Sequence, residues 1–199
     1  MTSSNHVKTD LVETLQQFAN QFLRKHQELH LNFPKIEQDE QWPSPCEIFN
    51  DSNEVDKLGL LPGEVYWQPV TIEKEMLNFD NVESALEMTL HSDIKTYFTT
   101  LYSETLDANC EEGNLSLLFA WNKDDFLRLQ ENLIGHILMK QRLKQAETIF
   151  FAVTDEEDMI ISIDNNTGEV WVERVGCKPH KKLADSLVQF IKQLTPIII

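Results

Sequence analysis

The side chains best placed to do chemistry begin with His26 and His30, four residues apart. That spacing puts two imidazoles on one helical face, as in a metal site. The acid between them is Glu28, at the third position of the run instead of the second, so it lies on a different part of the helix from a zinc-protease general base. The run also ends close to Pro34, and a polar helix terminus is the simpler reading. His136 sits in the apolar stretch Leu133-Ile134-Gly135-His136-Ile137, which favours a satisfied core histidine over a general base. Asp124/Asp125 and Glu156/Glu157 are carboxylate pairs, but adjacent residues do not converge on one substrate atom. The acidic run 155–158 is most simply a solvated loop. Cys46, Cys110 and Cys177 are odd in number and far apart, which suits reduced thiols in a reducing cytosol. There is no phosphate-binding glycine loop, dinucleotide fingerprint or nucleophile elbow, and 6 glycines leave little material for a phosphate cradle. The expectation is no catalytic residue, no metal and no cofactor.

Charge is the stronger signal. Residues 37–112 hold 18 Asp or Glu against Lys57, Lys74 and Lys95, with no Arg, so nearly all of the net charge of −16 lies there. Like charges this dense work against a compact state. A basic partner gives one reason to keep them, and a well-solvated surface is the plainer alternative. The same charge opposes binding to nucleic acid and unaided docking on anionic lipid. Trp42, Tyr66 and Trp67 lie in this acidic third. An aromatic ring beside carboxylates can grip an Arg by stacking while the acids neutralise it. Trp67, on an expected strand, reads first as a core residue.

The elements that must carry these residues follow from periodicity. Hydrophobic residues at 41%, with 11 Phe, are enough for a real core in one domain over 1–199. No apolar run is long enough to cross a membrane, and MTSSNHVKTD lacks the apolar segment of a signal peptide. Leu11, Leu15, Phe18 and Phe22 predict an amphipathic helix over Asp10–His26 within an N-terminal helical region 1–30, with Asp10 and Glu13 as a capping box. Prolines 34, 43, 45 and 62 forbid a long regular element over 32–63. Residues 64–72 read as a short strand interrupted at Pro69. A helix starting at Asp80 should bury Val82, Ala85, Leu86 and Thr89 and turn Asp80, Glu83 and Glu87 outward. A second helix should cover Ser92–Leu101, and Asn114–Trp121 should be a buried strand. Asn122 should cap a long helix to about Leu143, built on Phe126, Leu129, Leu133, Ile137 and Met139. Strands follow over Thr148–Thr154, Asp158–Ile163 and Glu169–Val175, the last two joined by the turn Asn165-Asn166-Thr167-Gly168. A C-terminal helix over 180–195 completes an α+β class, a mixed or largely antiparallel sheet packed against several helices.

The block Trp121-Asn122-Lys123-Asp124-Asp125-Phe126, then Leu129 to His136 and Lys140-Gln141-Arg142-Leu143-Lys144, resembles the bacterial SecY-interacting protein family Syd. Pro43-Ser44-Pro45-Cys46, Val65-Tyr66-Trp67-Gln68-Pro69, Tyr97-Phe98-Thr99-Thr100 and Gly168-Glu169-Val170 resemble it in the same order. Residues 50–63, NDSNEVDKLGLLPG, read as an acidic loop insertion relative to that pattern. The resemblance implies a SUKH-like α+β domain and a non-enzymatic protein that binds SecY of the protein-export translocase. It implies a location in the cytoplasm and on the cytoplasmic side of the bacterial inner membrane, as a peripheral protein held through SecY. The basic partner would then be the cytoplasmic loops of SecY, since such loops are rich in Lys and Arg. The expected outcome is sequestration, quality control or negative regulation of SecY. An immunity-type protein neutralising a basic toxin is the alternative. From position alone, Glu83 and Glu87 are the first expected partner contacts, followed by Glu64, Trp67, Glu73, Glu75 and Asp124.

Overall fold

A computed structural model describes residues 3–49, 59–73 and 77–198, with only the backbone of residues 3–9. Helix α1 spans Ser3–His30. Short strands β1 (Lys35–Glu37), β2 (Glu47–Ile48), β3 (Glu64–Trp67) and β4 (Val70–Thr71) follow, then α2 (Asp80–Leu86) and α3 (Ser92–Phe98). Next come β5 (Leu101–Tyr102), β6 (Leu106–Cys110), β7 (Gly113–Leu117) and α4 (Lys123–Arg142). The chain ends with β8 (Thr148–Thr154), β9 (Met159–Asp164), β10 (Val170–Arg174), β11 (Lys181–Ala184), α5 (Leu187–Lys192) and β12 (Thr195–Pro196).

The main sheet has seven strands in the order β11-β10-β9-β8-β7-β6-β12, every pairing antiparallel. Its central strand β8 is apolar on both sides because both of its faces are covered. Neighbouring Phe150 and Phe151 on β8 point to opposite faces, as strand geometry requires. Phe150 meets the His136 ring of α4 edge-on at 5.4 Å. Phe151 meets Tyr97 of α3 at 5.4 Å and Phe190 of α5 at 5.8 Å. Helix α1 lies over α3 and α5 and buries Leu11, Leu15, Phe18 and Phe22. Each such side chain is worth roughly 1.5–3 kcal/mol when fully buried. A three-stranded sheet, β1-β3-β2, and the pair β4-β5 flank this core.

The long helix is set by its first turn. Asn122 Oδ1 accepts from Asp125 N–H at 2.8 Å, and Asp125 Oδ2 accepts from Trp121 N–H at 2.8 Å. The first bond satisfies an amide that the helix start leaves open, and the second ties the residue before the cap to the first turn. Asn122 Nδ2 also donates to the Pro43 carbonyl at 2.9 Å, fastening the irregular segment to α4.

Several expected boundaries moved. Asp10 lies inside α1, so it caps nothing; instead it meets Lys192 of α5 at 3.2 Å. The strand over 64–72 breaks into β3 and β4 at Gln68-Pro69. The second helix stops at Phe98, and the strand after Asn114 stops at Leu117. The C-terminal helix expected over 180–195 is only α5, flanked by two strands. Ser186 starts α5 by accepting from Gln189 N–H at 3.2 Å, while Lys181 and Lys182 lie on a strand paired with β10. Of the expected insertion at 50–63, residues 50–58 lie outside the described residues.

Candidate partner-binding surface

The expected contact residues divide by what already holds them. Glu83 turns inward. Its Oε1 lies 2.7 Å from Lys95 Nζ and accepts from Leu90 N–H at 2.8 Å. Burial alone would raise this carboxyl, but Lys95 and the Leu90 amide outweigh it and hold the pKa below the ordinary value. The reading that Glu83 and Glu87 share an outward face is therefore corrected. Helix α2 has 7 residues and ends at Leu86, and Glu87 follows in the left-handed region at φ 50° as the C-cap. Glu64 is also engaged, by the Leu61 amide at 2.7 Å and by Lys35 Nζ at 2.9 Å, and both lower its pKa. Trp67 is a core residue, 5% exposed, stacked on Phe22 at 6.2 Å and met edge-on by Trp121 at 6.1 Å. Trp42 does grip an Arg, but this chain's own: the Arg128 guanidinium sits 3.8 Å from its ring centroid. Glu73, Glu87 and Asp124 remain exposed, on three separate segments. Glu75 lies outside the described residues.

A cleft of about 580 Å³ opens between the end of α1, the β1-β3 sheet and the last residues of the chain. Its walls include Phe22, Phe33, Tyr66 and Trp67. Lys25 Nζ, donating to the Pro196 carbonyl at 2.6 Å, ties α1 to β12 beside it. Charged or titratable groups reach it from every side: His26 and His30 from α1, Lys35 from β1, Glu104 before β6 and Asp107 on β6. Lys35 is already occupied by Glu64 and by the Gly59 carbonyl. His26 Nδ1 bonds the Asn32 carbonyl at 3.0 Å, and its pKa is lowered by burial and by His30, whose ring centroid is 4.6 Å away. Glu104 is the group that sequence reasoning missed. It is half-buried, and burial, reinforced by Asp125, pushes its carboxyl up despite the Thr105 amide. Among the described residues, neither Glu104 nor Asp107 is in an ion pair. The local clue was an acid in Ser103-Glu104-Thr105, a short link between β5 and β6.

A second cluster is internal. Lys140 Nζ lies 2.7 Å from Glu173 Oε2 and donates to the Cys177 carbonyl at 2.9 Å, while Thr148 Oγ1 donates to Glu173 Oε1 at 2.7 Å. His136 Nε2 lies 3.2 Å from Thr148 Oγ1 and 3.5 Å from Glu173 Oε1. The burial expected of His136 is met, and its partners bind α4 to β8 and β10. Among the described residues, no three His, Cys, Asp or Glu side chains gather as a metal site. Cys46 is buried, which pushes its thiol up to about 11 and away from the reactive thiolate form.

The molecule is thus an α+β domain on one large antiparallel sheet, with exposed acids and a carboxylate-bearing cleft. Among the described residues, no helix is long and apolar enough to cross a membrane. The family model "Syd protein (SUKH-2)" matches residues 12–196, and the chain belongs to the Syd family. It is 56% identical over 203 residues to Protein Syd of Colwellia psychrerythraea, covering 98% of this chain and 96% of that one. It is 50% identical over 163 residues to Protein Syd of Alteromonas mediterranea, covering 82% and 85% respectively. Protein Syd of Pseudoalteromonas atlantica is 39% identical, with 98% of both chains covered.

Proposed function

We propose that this protein binds SecY, the channel subunit of the protein-export translocase, through an acidic surface that receives its basic cytoplasmic loops. It is a non-catalytic binding protein in this reading, held on the cytoplasmic side of the inner membrane by its partner. Occupying those loops would exclude other cytosolic partners, so the protein sequesters or restrains SecY as a quality-control or negative regulatory factor. The observation that carries the proposal is membership of the Syd family across residues 12–196. The charge supports the manner of binding: Glu73, Glu87 and Asp124 are exposed carboxylates in an acidic chain. Complementary charge speeds encounter and selects partners, and salt weakens it.

The test is sedimentation of the purified chain with inner-membrane vesicles, with and without overproduced SecY, at low and high salt. Binding that needs SecY and falls with salt supports the proposal. A folded chain that ignores accessible SecY sinks it and directs the search to a soluble basic toxin.

A further inference from the structure

We infer that the end of α4 and the turn after β10 together form a docking surface for anionic phospholipid, with Arg142, Lys144, Arg174 and Lys178 set over headgroups and Leu143 and Val175 dipping between them. The inference rests on the reading that SecY holds the chain at a membrane, and it adds which face is turned to the lipid. Proximity is the first observation. Gln145 Nε2 donates to the Gly176 carbonyl at 3.2 Å, and Lys140 Nζ donates to the Cys177 carbonyl at 2.9 Å. A Cβ built on Gly176 would stand 4.0 Å from Met139 Sδ. The two segments, far apart in sequence, are therefore neighbours. Charge is the second. Acids outnumber Lys and Arg by 33 to 17, so a cation should find a partner easily. Lys181 and Lys182 on β11 do, with Glu112 and with Glu169 and Asp185. Arg142, Lys144, Arg174 and Lys178 are exposed, and none is in an ion pair among the described residues. Exposed apolar area is the third. Leu143 is 49% exposed between two of these cations, and Val175 is 46% exposed after a third. Each precedes a residue in the left-handed region, Lys144 at φ 54° and Gly176 at φ 78°, where the chain reverses.

Cations around half-exposed aliphatic side chains fit a lipid interface. Headgroup phosphates take the charge, and the acyl boundary takes the apolar atoms. The set holds no aromatic ring on which a single-stranded nucleic acid could stack a base. Acids do border the surface: the Asp158 carbonyl accepts from Val175 N–H at 2.9 Å, and the Glu147 carboxylate lies 3.5 Å from the Gln141 amide. With these beside it, and a net charge of −16 on the chain, the surface does not recruit the protein by itself. It orients a chain that a partner already holds, where the contact is intramolecular in effect and a weak attraction suffices. Charges beyond about 8 Å are largely screened at physiological salt, so remote acids do not cancel it.

The experiment holds the full chain on vesicles without SecY, through a histidine tag on a long Gly/Ser linker and a nickel-chelating lipid. A fluorophore on the exposed Cys177 is read for quenching by brominated acyl chains; Cys46 is buried, and Cys110→Ser removes the third thiol. The control carries its label at Asp124→Cys, with Cys177→Ser, at the other end of α4 and about 27 Å from Arg142 along the helix. Quenching at Cys177 and not at the control is expected on phosphatidylglycerol, with none on phosphatidylcholine and none in about 0.5 M salt. Each of Arg142→Gln, Lys144→Gln, Arg174→Gln and Lys178→Gln should cut the docked-to-undocked ratio roughly fivefold. Leu143→Ser with Val175→Ser should also lower it, and urea unfolding checks that the variants are folded. Equal quenching at both labels, quenching indifferent to lipid charge, or no quenching would overturn the inference. So would loss of affinity for detergent-solubilised SecY in the quadruple Gln variant, which would give the surface to a protein partner. If Cys177 docks but the chain ignores SecY, the lipid surface stands and the named partner is wrong. If wild type and the quadruple Gln variant bind SecY alike and neither is quenched, the lipid surface is wrong and the SecY reading stands.

Discussion

Lys140 and Glu173 face each other across 2.7 Å inside the protein, with side chains 0% and 1% exposed. The pair joins α4 to β10; Lys140 also donates to the Cys177 carbonyl, and Glu173 also accepts from the Thr148 hydroxyl. Breaking one partner leaves an uncompensated buried charge, at a cost of about 3–5 kcal/mol. Lys140→Met and Glu173→Gln should each lower stability substantially in urea unfolding. Lys140→Met with Glu173→Leu should lose much less than the two single changes summed. Additive losses would show that the two groups do not act as a pair.

The same carboxylate gives the protein an acid limit. Burial opposes ionised Glu173, but His136, Lys140 and Thr148 outweigh it and bring its pKa below the reference value of 4.5. Glu83 is lowered in the same way by Lys95 and the Leu90 amide. A carboxyl that is more acidic folded than unfolded contributes stability above about 4.5, and that contribution is lost as pH falls through its folded value. Urea midpoints should therefore drop below about pH 4.5. His26 adds a loss beginning near 6.5, because its lowered pKa means that the unfolded chain protonates first. Glu104 acts in the opposite sense, its raised pKa favouring the folded state as it protonates. Glu104→Gln should thus increase stability at neutral pH, while Glu173→Gln should flatten the acid limb.

Gly168 has two reasons to be glycine. Its φ is +76°, and a Cβ built there would stand 2.7 Å from two ring atoms of His91. Asn165 Oδ1 accepts from the His91 amide at 2.8 Å, so the β9–β10 turn is pinned on the segment between α2 and α3. Gly168→Ala should cost about 2 kcal/mol or more, part backbone strain of roughly 1–2 kcal/mol and part collision. The His91 ring also starts α3 by accepting from Asp93 N–H at 3.2 Å, so His91→Ala has a cost of its own. Measured against His91→Ala, Gly168→Ala should cost only the backbone strain; calorimetry of the two single variants and the double variant checks this, and an unchanged cost would place the whole effect in the backbone.

The elements differ in how far local sequence specifies them. Helix α4 was legible because cap, apolar spacing and end all agree within one segment: Asn122, then Phe126, Leu133 and Ile137. Strand β8 was legible because a continuous apolar run has one good home, a sheet covered on both faces. Strand β6 was not, since Asp107 and Asn109 interrupt its apolar residues. The face of α2 failed because seven residues are too few for a periodicity that assigned Glu87 to the helix. Glu64 and Glu83 were misplaced for a different reason: the lysines that occupy them lie 29 and 12 residues away, and spacing along the chain does not reveal such pairings. Glu104 gains meaning only when α1, β3 and the end of the chain meet around it.

Glu83 and Glu87 make the sharpest contrast on the acidic surface, being four residues apart with the same side chain. Glu83→Lys would set an ammonium against Lys95 and remove the acceptor of the Leu90 amide. It should lower stability by about 1–3 kcal/mol, whether or not SecY is present. Glu87→Lys meets no internal partner among the described contacts of α2 and leaves the left-handed cap as it is. Its stability should stay within about 0.5 kcal/mol of wild type. An exposed charge contributes roughly 0–1 kcal/mol to binding, so Glu87→Lys alone should weaken SecY vesicle binding only slightly. Combined with Glu73→Lys, Glu75→Lys and Asp124→Lys, it should abolish most of the salt-sensitive binding in a chain that still unfolds cooperatively. Vesicle binding across a salt series, read beside urea unfolding of the same samples, separates the two effects. If the fourfold variant binds SecY as wild type does, these acids are solvating groups and the contact surface lies elsewhere. If Glu83→Lys weakens binding without losing stability, its place inside the fold is not what governs it.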